Sequence, residues 1–224
     1  MQRVSGFGFG IFIMTLLPYL MPTYGEATTL SGMMAMVTSI IIVWKMWRYI
    51  PWHKLLPILF TFLLVSYFAV MFVASASDGL LKQILGMILI LVSVYFFFIS
   101  ERIKLKPTMV VQLSMGLISG MMGGLFGMQG PPAVLYFISC TDNKNEYMAM
   151  AQSYFLIGNA VMTCYRAQNG FLTEPVLISW SYGIPAVLLG TWLGSIVFRY
   201  IPINILRKII YAYMALSGVI ALIG

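Results

Sequence analysis

Charged residues are scarce in this chain, and their scarcity excludes a water-soluble protein. Of its 224 residues, 8% are charged and 61% are hydrophobic, whereas a soluble domain carries about 25% charged residues. Because so few charges cannot cover a soluble surface, lipid must surround most of the molecule. No stretch is polar enough to form a separate soluble domain or a long linker, so we predict a single transmembrane domain over residues 1–224.

Histidine and cysteine are equally scarce, which removes the usual components of metal and catalytic sites. His53 is the only histidine, and Cys140 and Cys164 form no CxxC pair. The sequence has no HExxH motif and no acidic pair inside an apolar run, so nothing indicates a metalloenzyme or an intramembrane protease. We therefore predict that the protein is not an enzyme and uses no metal or cofactor. Its basic loops are expected to lie beside lipid and to bind no nucleic acid.

The chain does contain long apolar runs, at 4–22, 27–47, 55–74, 80–99, 109–139, 147–165, 175–198 and 205–223. About 20 apolar residues cross a bilayer, and only helices or closed barrels satisfy the backbone in lipid. Barrel strands are shorter and alternate in polarity. The runs therefore predict an all-α fold, a polytopic transmembrane helical bundle.

Two of these runs contain helix breakers. The run 109–139 is too long for one span, and its middle holds Gly123, Gly124, Gly127, Gly130, Pro131 and Pro132. Glycine loosens the backbone and proline removes an N–H donor, so this helix is predicted to break near 127–132. The run 4–22 is similar, because it opens with Gly6, Gly8 and Gly10 and then carries Pro18.

The interrupted runs predict an internal repeat. A shift of 120 residues places Gly130 over Gly10 and Glu146 over Glu26, so repeat one is assigned to 1–100 and repeat two to 107–224. Each repeat has a Gly/Pro-interrupted first helix.

The basic residues indicate how the halves are oriented. If 109–139 dips into the membrane and returns, ten basic residues fall on one side and two, Lys82 and Arg166, on the other, with Arg3 set aside. If the run crosses, the count is seven against five. The positive-inside rule favours the returning run. The halves then face opposite ways as inverted repeats, a common plan of secondary transporters.

The same strings carry a family resemblance. GLISGMMGGLFGMQGPPAVLYF (116–137) resembles the hallmark of the sulfite exporter TauE/SafE family, also called the toluene sulfonate uptake permeases. SGFGFGIFIMTLLPYL (5–20) resembles the first-half version of that run, and IPAVLLGTWLGSIVFRYIP (184–202) the carboxyl-terminal end. The resemblance implies a multi-pass transporter of small, often sulfur-containing anions in a bacterial-type inner membrane, with the substrate near the Gly-rich breaks.

The resemblance also shows a departure from the family. Family members have a helical leg before the first Gly-rich run, whereas only five residues precede Gly6 here. Either that leg is missing or residue 1 lies downstream of the true start.

Free backbone amides at the two breaks are the main candidates for substrate binding. An anion in a dry cavity needs hydrogen-bond donors, and the start of a helix supplies them. The predicted substrate contacts are Gly6, Gly8 and Gly10 at the first break, and Gly127, Gln129, Gly130 and Pro131 at the second. Amide donors are expected at each residue from Gly127 to Gly130, including Met128.

Polar side chains inside the spans are further candidates. Gln152 and Asn159 lie seven residues apart, which places them on one helix face. They are predicted to line the path, unless they bond a neighbouring helix. Glu26 and Glu146 are the best candidates for proton coupling, with stabilisation of helix N termini as the alternative.

Other glycines follow a packing pattern. The spacing of Gly116 and Gly120, and of Gly190 and Gly194, is of the GxxxG type. Such spacing predicts close contact between helices.

The sequence predicts a secondary transporter, a permease or exporter for a small anion such as sulfite or an organosulfonate. A passive anion channel and a non-transporting membrane scaffold or assembly factor are the alternatives. Substrate identity, direction, coupling ion and oligomeric state, a homodimer included, are left open.

Overall fold

The computed structural model describes residues 9–98, 106–197, 215, 216, 218–220 and 222. Its helices are α1 (Phe9–Ile13), α2 (Leu17–Leu20), α3 (Tyr24–Met46), α4 (Trp52–Ser75), α5 (Asp78–Phe98), α6 (Met109–Phe126), α7 (Gly130–Cys140), α8 (Lys144–Gln168) and α9 (Glu174–Val197). A short 3-10 helix, Trp47–Tyr49, follows α3. The described ranges contain no strand, so the predicted all-α fold is confirmed.

Among the described residues, three helices are long and apolar enough to cross a membrane. They are α3 with its 3-10 extension (Tyr24–Tyr49), α4 and α6. The outward face of α4 carries large exposed apolar side chains, such as Phe60, Leu64 and Phe68. Contiguous apolar surface of this kind is stable in lipid and unfavourable in water, which confirms a transmembrane helical bundle.

Close packing of α4 against α6 forms the middle of the bundle. A Cβ added to Gly116 or Gly120 would lie 2.8 or 2.9 Å from a backbone carbonyl oxygen of α4. Only glycine lets the two helices approach so closely, and the packing predicted for these two glycines is confirmed. No described atom lies within 4 Å of the Cβ position of Gly190, so the packing predicted there is not seen; the side-chain surroundings of Gly194 lie outside the described residues.

Polar contacts at one end of the bundle, here called the Lys54 end, show that the interrupted run turns back. Lys54 Nζ donates to the carbonyl oxygen of Cys140 at 3.1 Å, and Gln112 Nε2 donates to the carbonyl oxygen of Lys54 at 2.6 Å. Gln112 lies in the first turn of α6, and Cys140 ends α7. The run 109–139 therefore begins and ends on the same side of the bundle, as predicted.

The opposite end, here called the Glu26 end, gathers the starts of α3, α5 and α9. The Tyr24 amide donates to Asp78 at 3.1 Å, and the Thr173 hydroxyl donates to Glu26 at 2.6 Å. Helices α4, α6 and α8 begin at the Lys54 end. In the predicted repeats, α3 is equivalent to α8 and α4 to α9, and the two members of each pair run in opposite directions. An inverted repeat requires these directions; the repeat itself stays a prediction.

The basic side chains follow the same division between the two ends. The Lys54 end holds Lys45, Arg48, Lys54, Lys106 and Lys144, whereas Lys82 and Arg166 lie toward the Glu26 end, as predicted. Arg3, Arg102, Lys104, Arg199, Arg207 and Lys208 lie outside the described residues. Among the described residues, the distribution agrees with the positive-inside rule.

Candidate functional site

The first leg of the interrupted run ends in a glycine cap. Gly127 has φ 66°, in the left-handed region that favours glycine. Its amide donates to the Gly123 carbonyl oxygen at 2.9 Å, and the Met128 amide donates to Met122 at 3.2 Å. These amides close the end of α6, so the free donors predicted at Gly127 and Met128 are not available, and that expectation is wrong.

The second leg begins with the predicted proline pair. Pro131 and Pro132 occupy the first turn of α7, where an N–H would have no intrahelical acceptor. The amides of Gln129 and Gly130 are the first-turn donors that keep their N–H. The Ser119 hydroxyl donates to the Gln129 carbonyl, and Tyr154 donates to Ser119 Oγ at 2.7 Å. These bonds fix the turn between the two legs.

The two breaks meet in the structure. A Cβ added to Gly10 would lie 2.5 Å from the carbonyl oxygen of Gly127, so a glycine is required for this contact. A cavity lies beside the contact, with about 40 Å³ of space open to the centre of a water molecule. It is lined by Phe9, Gly10, Ile11, Ala35, Gly127, Met128, Gln129, Gly130, Phe155 and Asn159.

The structure thus brings Gly10, Gly127, Gln129, Gly130 and Asn159 from the predicted set to one cavity. Phe9, which adjoins Gly10 in the predicted first break, also lines the cavity. Sequence reasoning missed Ile11, Ala35 and Phe155, because nothing distinguishes them from other apolar residues of the spans.

The other predicted site residues lie elsewhere. Gly6 and Gly8 lie outside the described residues. Pro131 is buried in the first turn of α7 and does not line the cavity. Gln152 accepts a hydrogen bond from Ser39 at 3.0 Å and joins α8 to α3. This contact is the alternative stated for Gln152, a bond to a neighbouring helix.

Two buried polar groups near the cavity have no partner in the described part of the chain. Gln129 Oε1 belongs to a side chain that is 4% exposed, and it lies 3.2 Å from the Cβ position of Gly158. Ser31 Oγ lies 3.7 Å from the Cβ position of Gly127. Burying a polar group without a hydrogen-bond partner costs about 1–3 kcal/mol of stability. A polar ligand bound in the cavity could supply the partner that each of these two groups lacks.

Glu26 and Glu146 both stabilise the start of a helix. Glu26 forms a capping box with Thr23, accepting the Thr23 amide at 3.0 Å, and also accepts the Thr173 hydroxyl. Glu146 pairs with Lys54 at 2.8 Å and accepts the Thr141 hydroxyl at 2.8 Å. These contacts support the alternative of N-terminal stabilisation, and a role in proton coupling stays a prediction.

A buried arginine is the main feature that sequence reasoning missed. Arg166, expected at the membrane surface, is 1% exposed. Its Nη1 donates to Thr28 O at 2.9 Å, and its Nη2 donates to Gly123 O at 3.0 Å. The seven-residue spacing from Asn159, which places both on one face of α8, was the available signal.

A helical membrane bundle in which two interrupted helices meet at a cavity is an architecture typical of secondary transporters. The model of the family "Sulfite exporter TauE/SafE" matches residues 1–220, and the chain belongs to this family of membrane transporters. It is similar to a "Probable sulfite/organosulfonate exporter TauE" from Cupriavidus necator (strain H16), with 23% identity over 206 residues that cover 86% of this chain and 77% of the relative. No solved structure matches the chain significantly.

Proposed function

We propose that the chain is a secondary carrier for a small sulfur oxyanion, with sulfite as the first candidate. The observation that carries this proposal is the cavity at which the two glycine breaks meet. Family membership supports it, and the name of the relative in Cupriavidus necator favours export as the direction.

The size of the cavity favours a compact ion. A cavity must offer roughly 10–15 Å³ of occupied volume to hold one water molecule. This cavity leaves about 40 Å³ open to the centre of a water molecule, so it has room for more than one. This space suits sulfite, an ion of one sulfur and three oxygen atoms, better than an aromatic sulfonate.

The lining has the chemistry that an oxyanion needs. The backbone amides of Gln129 and Gly130 and the side-chain amides of Gln129 and Asn159 are donors beside the cavity. Rotation of the Gln129 amide about its last bond exchanges its oxygen and nitrogen, so an N–H can face an anion. Apolar side chains of Phe9, Ile11 and Phe155 lower the local dielectric, which strengthens each of these bonds.

Flux measurements in proteoliposomes test the proposal. We expect sulfite flux that saturates and shows counterflow, and Gln129→Ala should reduce it by at least about 10-fold because a charge-assisted bond is lost. Gln83→Ala, on an exposed position of α5, is the matched control and should leave flux unchanged.

Two other results would separate the alternatives. A flux that rises linearly with concentration and shows no counterflow would indicate a passive channel. Absence of flux for sulfite, sulfate and small organosulfonates, with the protein inserted and folded, would contradict transport and favour a scaffold.

The membrane setting forms part of the proposal. We propose a multi-pass protein of the inner membrane whose Lys54 end faces the cytoplasm, because the described basic side chains gather there. A homodimer stays a prediction, and the mass of the native protein in detergent tests it.

A further inference from the structure

We propose that Arg166 is the positive charge that selects anions at this cavity, and that it acts on a bound oxyanion from directly behind the wall that Asn159 forms. The inference rests on the proposed transport function. Backbone amides are neutral and distinguish anions from neutral solutes only weakly. A positively charged side chain provides that selection.

The charge of Arg166 has no carboxylate to balance it within the described ranges. The ion pair found there joins Lys54 and Glu146 at the Lys54 end. Arg166 instead donates to the carbonyl oxygens of Thr28, Gly123 and Gly124. Carbonyls at the end of a helix favour a cation, but they are neutral and leave a net positive charge. A buried charge without a counterion is expensive, so an anion that arrives nearby is attracted strongly.

The guanidinium group points toward the cavity. Long side chains of a helix lean toward its N terminus, which in α8 is the direction from Arg166 to Asn159. The surroundings of Gly32 agree, since a Cβ added there would lie 3.3 Å from Asn159 Oδ1 and 3.4 Å from Arg166 Nη1. Asn159 lines the cavity, so Arg166 lies directly behind its wall.

Polar groups continue from the cavity to the arginine. Ser31, beside Gly32 on α3, has a buried and unpartnered hydroxyl near Gly127. Thr28 and Ala35 lie one turn on either side, at the arginine and at the cavity respectively. Because Gly32 has no side chain, α3 and α8 pack closely here, and even a Cβ would lie 3.3 Å from Asn159 Oδ1 and 3.4 Å from Arg166 Nη1. A buried charge is poorly screened, so the guanidinium acts on an ion in the cavity without touching it. Small oxyanions such as sulfite are the ligand class that fits.

A purely structural role is the competing explanation. In that case Arg166 only ties the end of α6 to α3, and its charge has no part in anion binding. The two explanations differ in what Arg166→Lys does, because lysine keeps the charge but not the forked set of hydrogen bonds.

Sulfite binding to the full chain in lipid nanodiscs decides between them. Calorimetric titration with sulfite should show Arg166→Gln weakening binding by at least about 30-fold, while Arg166→Lys, which keeps the charge, weakens it less. Gly32→Ala should weaken binding by about 10-fold, since its methyl group would displace Asn159 Oδ1 and Arg166 Nη1. Gly79→Ala is the matched control and should bind like the wild type, because no atom of the described residues lies within 4 Å of its Cβ position.

The outcomes separate the two proposals. If Arg166→Gln and Gly32→Ala bind sulfite within twofold of the wild type, the inference about Arg166 is overturned and the transport proposal stands. If the arginine variants do not fold, Gly32→Ala is compared in the Asn159→Ala background, where only its contact with Arg166 remains; no further loss of binding there would overturn the inference. If the wild-type chain binds neither sulfite nor another small oxyanion, the proposed function itself fails.

Discussion

The two interrupted segments contribute differently to the same cavity. The second is a hairpin of α6 and α7, held at its turn by Ser119 and at its base by Lys54, and it supplies the polar side chain of Gln129. The described part of the first segment consists of two short helices, α1 and α2, and it supplies Phe9, Gly10 and Ile11. One interrupted segment thus provides polar recognition and the other provides shape.

A substitution at the contact between the two breaks should have the largest effect on transport. Gly10→Ala places a methyl group 2.5 Å from the Gly127 carbonyl oxygen, where backbone meets backbone and neither yields easily. We expect loss of nearly all sulfite flux, together with destabilisation by about 1–3 kcal/mol, measured as flux per inserted protein and as the unfolding temperature. Gly190→Ala is the control, because no atom of the described residues lies within 4 Å of its Cβ position. Normal flux in Gly10→Ala would show that the two breaks do not need to touch.

Removal of a polar wall residue from the second half should have the next largest effect. Asn159→Ala is expected to lower sulfite affinity by about 10- to 100-fold, because it deletes a hydrogen bond to a charged ligand. Ile11→Val in the first half removes one methyl group and should change affinity by less than about threefold. Titration of both variants with sulfite checks the comparison, and equal losses would refute the division into a polar half and a shaping half.

The glutamates at the helix starts should show the smallest effects. Glu26→Gln weakens the capping box, and because the Glu26 side chain is only 5% exposed, the change should destabilise the protein by about 1 kcal/mol. Glu146→Gln breaks the ion pair with Lys54. The side chains of Lys54 and Glu146 are 30% and 23% exposed, so their pairing contributes about 0–1 kcal/mol to stability. Both variants should transport sulfite at the wild-type rate, with or without a pH gradient across the membrane. If either variant stayed folded but lost the flux that a pH gradient drives, the predicted proton coupling would be favoured instead.

Much of the fold follows from the lengths of the apolar runs. The run 55–74 became α4 at Trp52–Ser75, and the break predicted near 127–132 begins at Gly127. These features depend on local chemistry, because glycine, proline and hydrophobic length act within a few residues. The start of α3 lies three residues before the predicted one, since the capping box of Thr23 and Glu26 extends the helix beyond its apolar part.

The parts of the site that the sequence did not reveal depend on distant contacts. Arg166 looked like a surface cation because the apolar run ends at 165, yet α8 continues to Gln168 and the side chain turns back to Thr28. Gln152 and Asn159 share a face, but Ser39 on α3 bonds the former while the latter reaches the cavity. Spacing along one helix does not show which neighbour each residue meets.

Selenite, a heavier analogue of sulfite, allows the most direct measurement of where the anion binds. Crystals of the full chain grown with selenite and measured at the selenium absorption edge locate the ion without any mutation. We expect an anomalous peak in the cavity between Gly10 and Gln129, within hydrogen-bonding distance of the amides of Gln129 and Gly130. Selenium only at the protein surface, with sulfite flux intact, would contradict a binding site formed by the meeting of the two broken helices.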